Sequence, residues 1–584
     1  MKKKLFTLLT SILCAFFIVS CNNANNESAA EKKEEKGGAQ TEEQTCNSIN
    51  KAYVKVIPDN VVMIAKAQWG NIISKSGIAD NALVEAAIED TPDEVKQILK
   101  GLCKDPNSAG IDTSSPVYLA VTSDAQVIAT CGISSMTALE KTLSTLTGNN
   151  LNATNMHGMK CIMPESKIII AYDSEKLVFL NARYNPDLGK FLKLTDNRMA
   201  VNNAKYSNFF KCADDVACTV NIMKLMELGS GKKRPDDIPE KLLTELKNVT
   251  LNASLDFKKG KATMKADINA NNEYTNTLKS VFNKPTHSHF GYIPANSYAV
   301  LNYNLDLKKL YDFIEEQGAL AEIENESEKK MIESAASALS GEWTVAAWIE
   351  NNNLEEPFIM AIIDCKERFV FDMIVANQNA TYVDNDVYDL NLNKREVYDY
   401  HTGQYRYEKT NKTEYYIIYR NGAIMVMPKH HYYRLKSGNS IRQLENSANS
   451  NKAFSSMKSN LVIDVEPIRS IFSNQIANSG QRMNEEMMIA NEILGMIQDA
   501  TASFNFLSLN ADINMTDKNT NSLKTIVDKA LSIAIRYNNN HASYDDRFYD
   551  DYDYSIPDVA PAAAAAQIYY SDRDTMDYDW DSQW

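Results

Sequence analysis

Few residues in this chain have the type and spacing to do chemistry. His430 and His431 are adjacent and are followed by Tyr432 and Tyr433. As metal ligands they would need at least one further donor, and neighbours on a strand point to opposite faces, so a surface strand end is the expected setting. His287 and His289 stand at i, i+2 and could share a strand face, but they lie in THSHFGYIP, which reads as a polar linker. Asp384, Asp386 and Asp389 in DNDVYDLN have the density of a calcium loop without its glycine or closing glutamate, which predicts a solvated turn. Ser455–Lys458 (SSMK) matches SxxK, but no SDN or KTG partner accompanies it. HExxH, a P-loop, GxSxG and paired CxxC are absent, so the sequence assigns no catalytic, cofactor-binding or metal residue and implies no cofactor.

Cysteine carries a sharper signal at one position. Lys2, Lys3 and Lys4 precede an apolar run from Leu5 to Val19, too short for a comfortable transmembrane span. The run closes on Ile18, Val19, Ser20 and Cys21, which resembles a bacterial lipobox. That resemblance implies a signal peptide over residues 1–20, cleavage before Cys21, and lipidation of Cys21. Acyl chains at ~0.8 kcal/mol per buried CH₂ anchor a chain to a bilayer without spanning it. Seven cysteines then remain: Cys46, Cys103, Cys131, Cys161, Cys212, Cys218 and Cys365. The number is odd and only Cys365 falls in the second half, so a shared disulfide framework is not expected. Cys212 and Cys218 are the one local pair that could bridge.

Composition frames the rest. Residues 21–50 are rich in Asn, Glu, Lys and Gly and read as a disordered tether. Position 22 is Asn, not the Asp that resembles an inner-membrane retention signal, which favours the outer membrane and leaves the leaflet undecided. The net charge is −15, with no long basic cluster beyond the signal peptide, so a nucleic-acid surface is not expected. Residues 543–584 hold eleven Asp, two Arg and ten aromatic residues, the composition of a disordered acidic-aromatic tail. A docking peptide is the sharper reading of the same segment.

The elements that must position any site repeat along the chain. Residues 266–279 read ADINANNEYTNTLK and residues 511–524 read ADINMTDKNTNSLK, an offset of 511 − 266 = 245. Ile-Pro-x-Asn recurs at 57–60 and 293–296, each followed by a strand (Val61–Ala67; Tyr298–Tyr303) and a helix (Trp69–Lys75; Leu307–Glu316) ending near Gly77 or Gly318. A second helix follows, through Val95–Leu102 in one case and Met331–Leu339 in the other. Strand pairs come next (Val117–Thr122 with Gln126–Gly132; Thr344–Glu350 with Phe358–Asp364), then helices Thr137–Leu146 and Arg368–Ala376. Hairpins follow at Lys167–Ala182 and Glu414–Pro428, the latter with an Asn421-Gly422 turn. The expected fold is α+β: a tandem duplication, 53–284 and 289–537, with mostly antiparallel sheets and helices packed on one face.

The lipobox, the IPxN strand entry, the Ser74–Ile78 (SKSGI) helix end and the long duplicated body together resemble uncharacterised Bacteroidales lipoproteins carrying domain of unknown function 4836. That resemblance implies an envelope location and no known activity. The sequence therefore predicts an outer-membrane or cell-surface lipoprotein, held on the membrane through Cys21, serving as a non-catalytic binding or structural platform. An envelope protein or a glycan is the expected partner. Two alternatives accompany it: an envelope hydrolase with its site in the cleft between modules, and an assembly or chaperone factor for envelope proteins.

Overall fold

The computed structural model describes residues 51–545 apart from short internal stretches, the longest being 231–248 and 445–459. The chain up to Lys529 forms one compact unit, and residues from Ala530 onward form a second. Cys21, Cys46, the tether, Ser455–Lys458 and most of the acidic tail lie outside the described residues.

Alternating apolar runs make strands almost everywhere they were expected. In the first half these are β1 (Val61–Ala67), β2 (Val117–Thr122), β3 (Val127–Gly132), β4 (Thr154–Met156) and β5 (Met159–Glu165). They continue with β6 (Ile168–Tyr172), β7 (Lys176–Asn181), β8 (Val216–Asn221), β9 (Thr250–Lys258) and β10 (Lys261–Asn269). The second half opens with β11 (Phe282–Asn283), β12 (Ala299–Leu305), β13 (Gly341–Trp348), β14 (Phe358–Asp364), β15 (Thr381–Asp384) and β16 (Val387–Asp389). It closes with β17 (Lys394–Asp399), β18 (Gln404–Lys409), β19 (Tyr415–Arg420), β20 (Ala423–Pro428), β21 (Leu461–Asp464), β22 (Ile497–Asn505) and β23 (Ser508–Met515).

Except for the separate β17–β18 hairpin, the described strands join in one sheet of 21 strands, antiparallel at every pair. The first half runs inward as β4-β5-β6-β7-β3-β2-β1-β8-β9-β10. The second runs outward as β23-β22-β21-β12-β13-β14-β20-β19-β16-β15, with β11 added at the end of β12. Strands that match in sequence stand at equal distances from the centre, so the order is a palindrome. β10 pairs with β23 there, and Lys265 faces Asn510, with 510 − 265 = 245.

Cores form on both faces of the first half, where helices on one face were expected. Ile64, Tyr118 and Ala120 pack with Tyr53, Tyr206, Phe209 and Phe210. One residue along β1, on the opposite face, Ala65 and Ala67 pack with Ile72, Cys218, Phe257, Ala262 and Leu523. A strand buried on both faces loses its alternation, and β1 is indeed buried at six of seven positions. Leu523, with Val527, comes from helix Ser522–Asp545, directly after β23. The last helix of the second half therefore roofs the sheet of the first.

Local signals placed the turns well. Helix Trp69–Ser76 ends on Gly77 at φ 64°, and helix Leu307–Glu316 is followed by Gly318 at φ 75°. Asn421 and Gly422 both take positive φ in the β19–β20 turn. The apolar run from Val220 changes element at once: β8 ends at Asn221 and a helix begins at Ile222. Replacing Leu523 by Ala should lower unfolding free energy by about 2–4 kcal/mol, because a cavity opens between the halves; urea denaturation of the mature protein measures it.

Candidate functional site

A dense gathering of polar side chains ties the segment read from sequence as a linker, residues 286–289, to β12, β13 and β14. Glu342, next to the start of β13, is fully buried. Its Oε1 accepts the His287 backbone N–H at 2.6 Å and Asn302 Nδ2 at 2.9 Å. Its Oε2 accepts the Thr286 hydroxyl, the Ser288 backbone N–H at 3.1 Å and the Ser288 hydroxyl at 2.7 Å. His287 takes a left-handed φ of 60° to present its N–H, and its ring stacks on Phe290 at 4.7 Å.

Asp364, ending β14, ties in the next residue. Its Oδ2 accepts the Glu342 N–H at 2.7 Å, and its Oδ1 lies 3.0 Å from His289 Nε2. His289 Nδ1 lies 3.0 Å from Thr344 Oγ1, which also accepts Asn302 Nδ2 at 2.8 Å. The Asp364 carboxylate can only accept, so Nε2–H donates to it, and in the neutral ring Nδ1 then accepts from the Thr344 hydroxyl. Gly341 is required beside it, since a Cβ there would meet Asp364 side-chain atoms at 2.6 Å.

This Asp–His–Thr chain has the connectivity of a hydrolase relay without its access. Thr344 is 1% exposed and His289 4%, and the cavity described below lies on other elements. A nucleophile needs a substrate within reach, so the arrangement is a clasp fastening residues 286–289 to β12, β13 and β14. Burial pushes the Glu342 carboxyl up, but the hydrogen bonds from Thr286, Asn302 and Ser288 outweigh it and hold the group below the ordinary range. Asp364 is likewise pushed up by burial, and His289, the Glu342 N–H and Lys366 outweigh that and bring it down.

The first half fills the corresponding positions differently. Four residues before the Ile of each Ile-Pro-x-Asn stands Tyr53 or His289, and six after its Asn stands Lys66 or Asn302. Lys66 pairs across to Tyr118, as Asn302 does to Thr344. Lys66 Nζ donates to the carbonyls of Phe210 and Cys212, at the end of helix Ser207–Lys211, and lies over the Phe209 ring. Burial pulls its ammonium down to about 8, against the opposing pull of Cys212 and Asp214. One half thus closes this position with a cation on a helix end, the other with a carboxylate holding a loop.

The remaining sequence candidates disperse. His430 and His431 lie on helix Lys429–Lys436, not on a strand end: the apolar alternation of β20 stops at Pro428, and the helix starts beyond it. His431 is buried against Trp348 and lies 3.0 Å from the Tyr292 carbonyl, while His430 faces Glu350 at 3.5 Å. Asp384 and Asp386 flank the β15–β16 turn, paired with Lys436 and bidentately with Arg368, and Asp389 caps the Asn391 N–H. Cys103, Cys131, Cys161, Cys212, Cys218 and Cys365 are free thiols. Among the described residues no group of three His, Cys, Asp or Glu could hold a metal ion. A surface cavity of about 300 Å³ is lined by Glu140, Ala153, Asn155, Lys160 and Tyr172. Its two charges are spent on each other, with Lys160 donating to Glu140 at 2.6 Å.

Together these features define a mixed α+β protein on one long antiparallel sheet, with a buried polar clasp on β12, β13 and β14 of its second half. The chain belongs to the family described as Domain of unknown function (DUF4836), matched over residues 53–531. No curated protein is similar to it. Among solved structures, crystal form IV of TP0453 is 11% identical with a TM-score of 0.23, covering 38% of this chain and 82% of that one. Crystal form I of TP0453 is 8% identical with a TM-score of 0.15, covering 64% and 91%.

Because Glu342 and Asp364 titrate below their ordinary values when folded, their stabilisation is fully present above the unfolded values, about 4. It is lost as pH falls through the lower folded values. Urea midpoints should therefore fall as the pH drops below about 4, and Glu342→Gln should lower the midpoint at pH 7 and flatten that fall.

Proposed function

We propose that the protein is a lipid-anchored envelope lipoprotein that acts as a non-catalytic binding or structural platform, built from two copies of one α+β module. The observation that carries the non-catalytic reading is the clasp: the side chains best suited to acid–base work are buried and spent on one another. The duplication is supported by the recurring ADIN…LK and IPxN segments and by the palindromic strand order about Lys265 and Asn510. In this reading the modules span 53–284 and 289–537, and each completes the other.

Anchoring rests on the Ile18–Cys21 segment, with the outer membrane as its site and an envelope protein or glycan as the partner. No helix among the described residues is long and apolar enough to cross a membrane. Metabolic labelling with an alkyne fatty acid should mark the wild-type chain, and Cys21→Ala should abolish both the label and membrane fractionation. In-cell crosslinking of the tagged protein should recover one defined set of envelope partners. Recovery of none, together with hydrolysis of envelope glycans or peptides by the pure protein, would replace this reading with the hydrolase.

A further inference from the structure

Two lysines of the first half are held where nothing in the fold rewards them. Helix Ile222–Ser230 follows β8 directly, and Asn221 caps it, its Oδ1 accepting the Lys224 N–H at 3.0 Å. Lys224 therefore stands in the first turn, at the positive end of the helix dipole, where a cation is disfavoured. Lys205 approaches from the segment ahead of helix Ser207–Lys211. Tyr206, next to it, donates its hydroxyl to the Asp59 carbonyl at 3.3 Å, just before β1. β1 pairs with β8 and packs against helix Ile222–Ser230, so both lysines reach the same end of the sheet. Both are half-buried. Burial pulls each ammonium below the ordinary lysine range, and the charge of Lys205 adds to that at Lys224. Asp59 opposes the effect at both and Glu227 at Lys224, yet neither carboxylate is within ion-pair distance. Lys205 Nζ rests instead 4.7 Å over the Tyr206 ring. The helix at the matching place in the second half, Glu466–Asn478 after β21, has the opposite charge order. Asp464 accepts the Glu466 N–H at 3.1 Å, and Glu466 occupies the first turn.

We propose that Lys205 and Lys224 form, at the start of helix Ile222–Ser230, a binding site for a phosphate-type oxyanion. An anion between them offsets three costs at once: two like charges brought together, a cation at the positive helix end, and ammoniums withdrawn from water. Unspent donors lie beside it. Thr250 pairs directly with Asn221, and Thr219 stands two residues before Asn221 on the same face of β8. Both threonines are 0% exposed, and neither hydroxyl has a hydrogen-bond partner among the described residues. A buried hydroxyl left unpaired is costly, and an anion's oxygens are acceptors for it. Two ammoniums call for a doubly charged ligand, and donors on a helix, a strand and a loop call for oxygens pointing several ways. A phosphate group meets both demands, where a halide or a planar carboxylate meets one at most. It is either the free ion or the phosphate of a larger molecule such as a lipid headgroup. The site belongs to the first half alone and is independent of the platform reading.

Inorganic phosphate is titrated calorimetrically into the purified mature chain, with sodium chloride holding the ionic strength constant. Saturable binding is expected, weakened roughly tenfold or more by Lys205→Gln or Lys224→Gln and retained by Lys224→Arg, which keeps the charge. Without phosphate, Lys224→Gln should melt no lower than the wild type, because it takes a cation off the positive helix end. A lysine kept for packing alone would melt lower when replaced. Absence of saturable binding, equal binding by the glutamine variants, or a lower phosphate-free melting temperature for Lys224→Gln overturns the inference. Glycerol 3-phosphate, titrated in the same way, names the source. Tighter binding than inorganic phosphate supports a phosphate carried on a larger molecule, and weaker binding supports the free ion. Failure here leaves the crosslinking and labelling tests of the platform reading untouched.

Discussion

The pairing of β10 with β23 is the interaction on which the rest depends. Seven residue pairs, Lys261 with Asn514 through Asp267 with Ser508, turn two half-sheets into one. Each strand would otherwise present an unpaired edge, which proteins rarely leave long and open. The join brings Leu523 over Ala262 and Phe257, and Asn521 into a hydrogen bond with the Phe257 carbonyl at 3.0 Å. Backbone pairing and apolar cover are thus supplied together, by the segment on which the repeated ADIN motif lies.

That explains why the longest near-repeat in the chain is structural. Ala266 and Ala511 alternate with polar residues along central strands, and Ser522 sits where the chain leaves the strand for the helix, its hydroxyl donating to the Lys261 carbonyl at 2.9 Å. A motif at a joint must fit both the ladder it extends and the helix it starts. Drift is restricted there without any chemistry being performed.

Most of the sheet was legible in the sequence because its signals are local. The hairpin at Asn421-Gly422, the helix Leu307–Glu316 and strands Val117–Thr122 and Phe358–Asp364 follow from alternation, capping and turn residues a few positions apart. The clasp was not legible, since THSHFGYIP has the composition of a linker and its meaning depends on Glu342, more than fifty residues away. A charged residue at the start of an apolar strand was the one available hint. The His430-His431 setting was misjudged for a related reason: a strand ends where its ladder partner does, and Pro428 pairs with Tyr415 at the limit of β19. Cover on both faces of β1 could be read only once Leu523 was known to cross from the far half.

The placement of that last helix also sets an order of events during synthesis. The apolar row through Phe257 is made about 260 residues before Leu523 emerges, so the first half cannot complete its core while the second is still being translated. Contacts of such long sequence separation close slowly. Until Leu523 is made, Ala65, Ala67, Phe257 and Ala262 wait without the side chain that covers them.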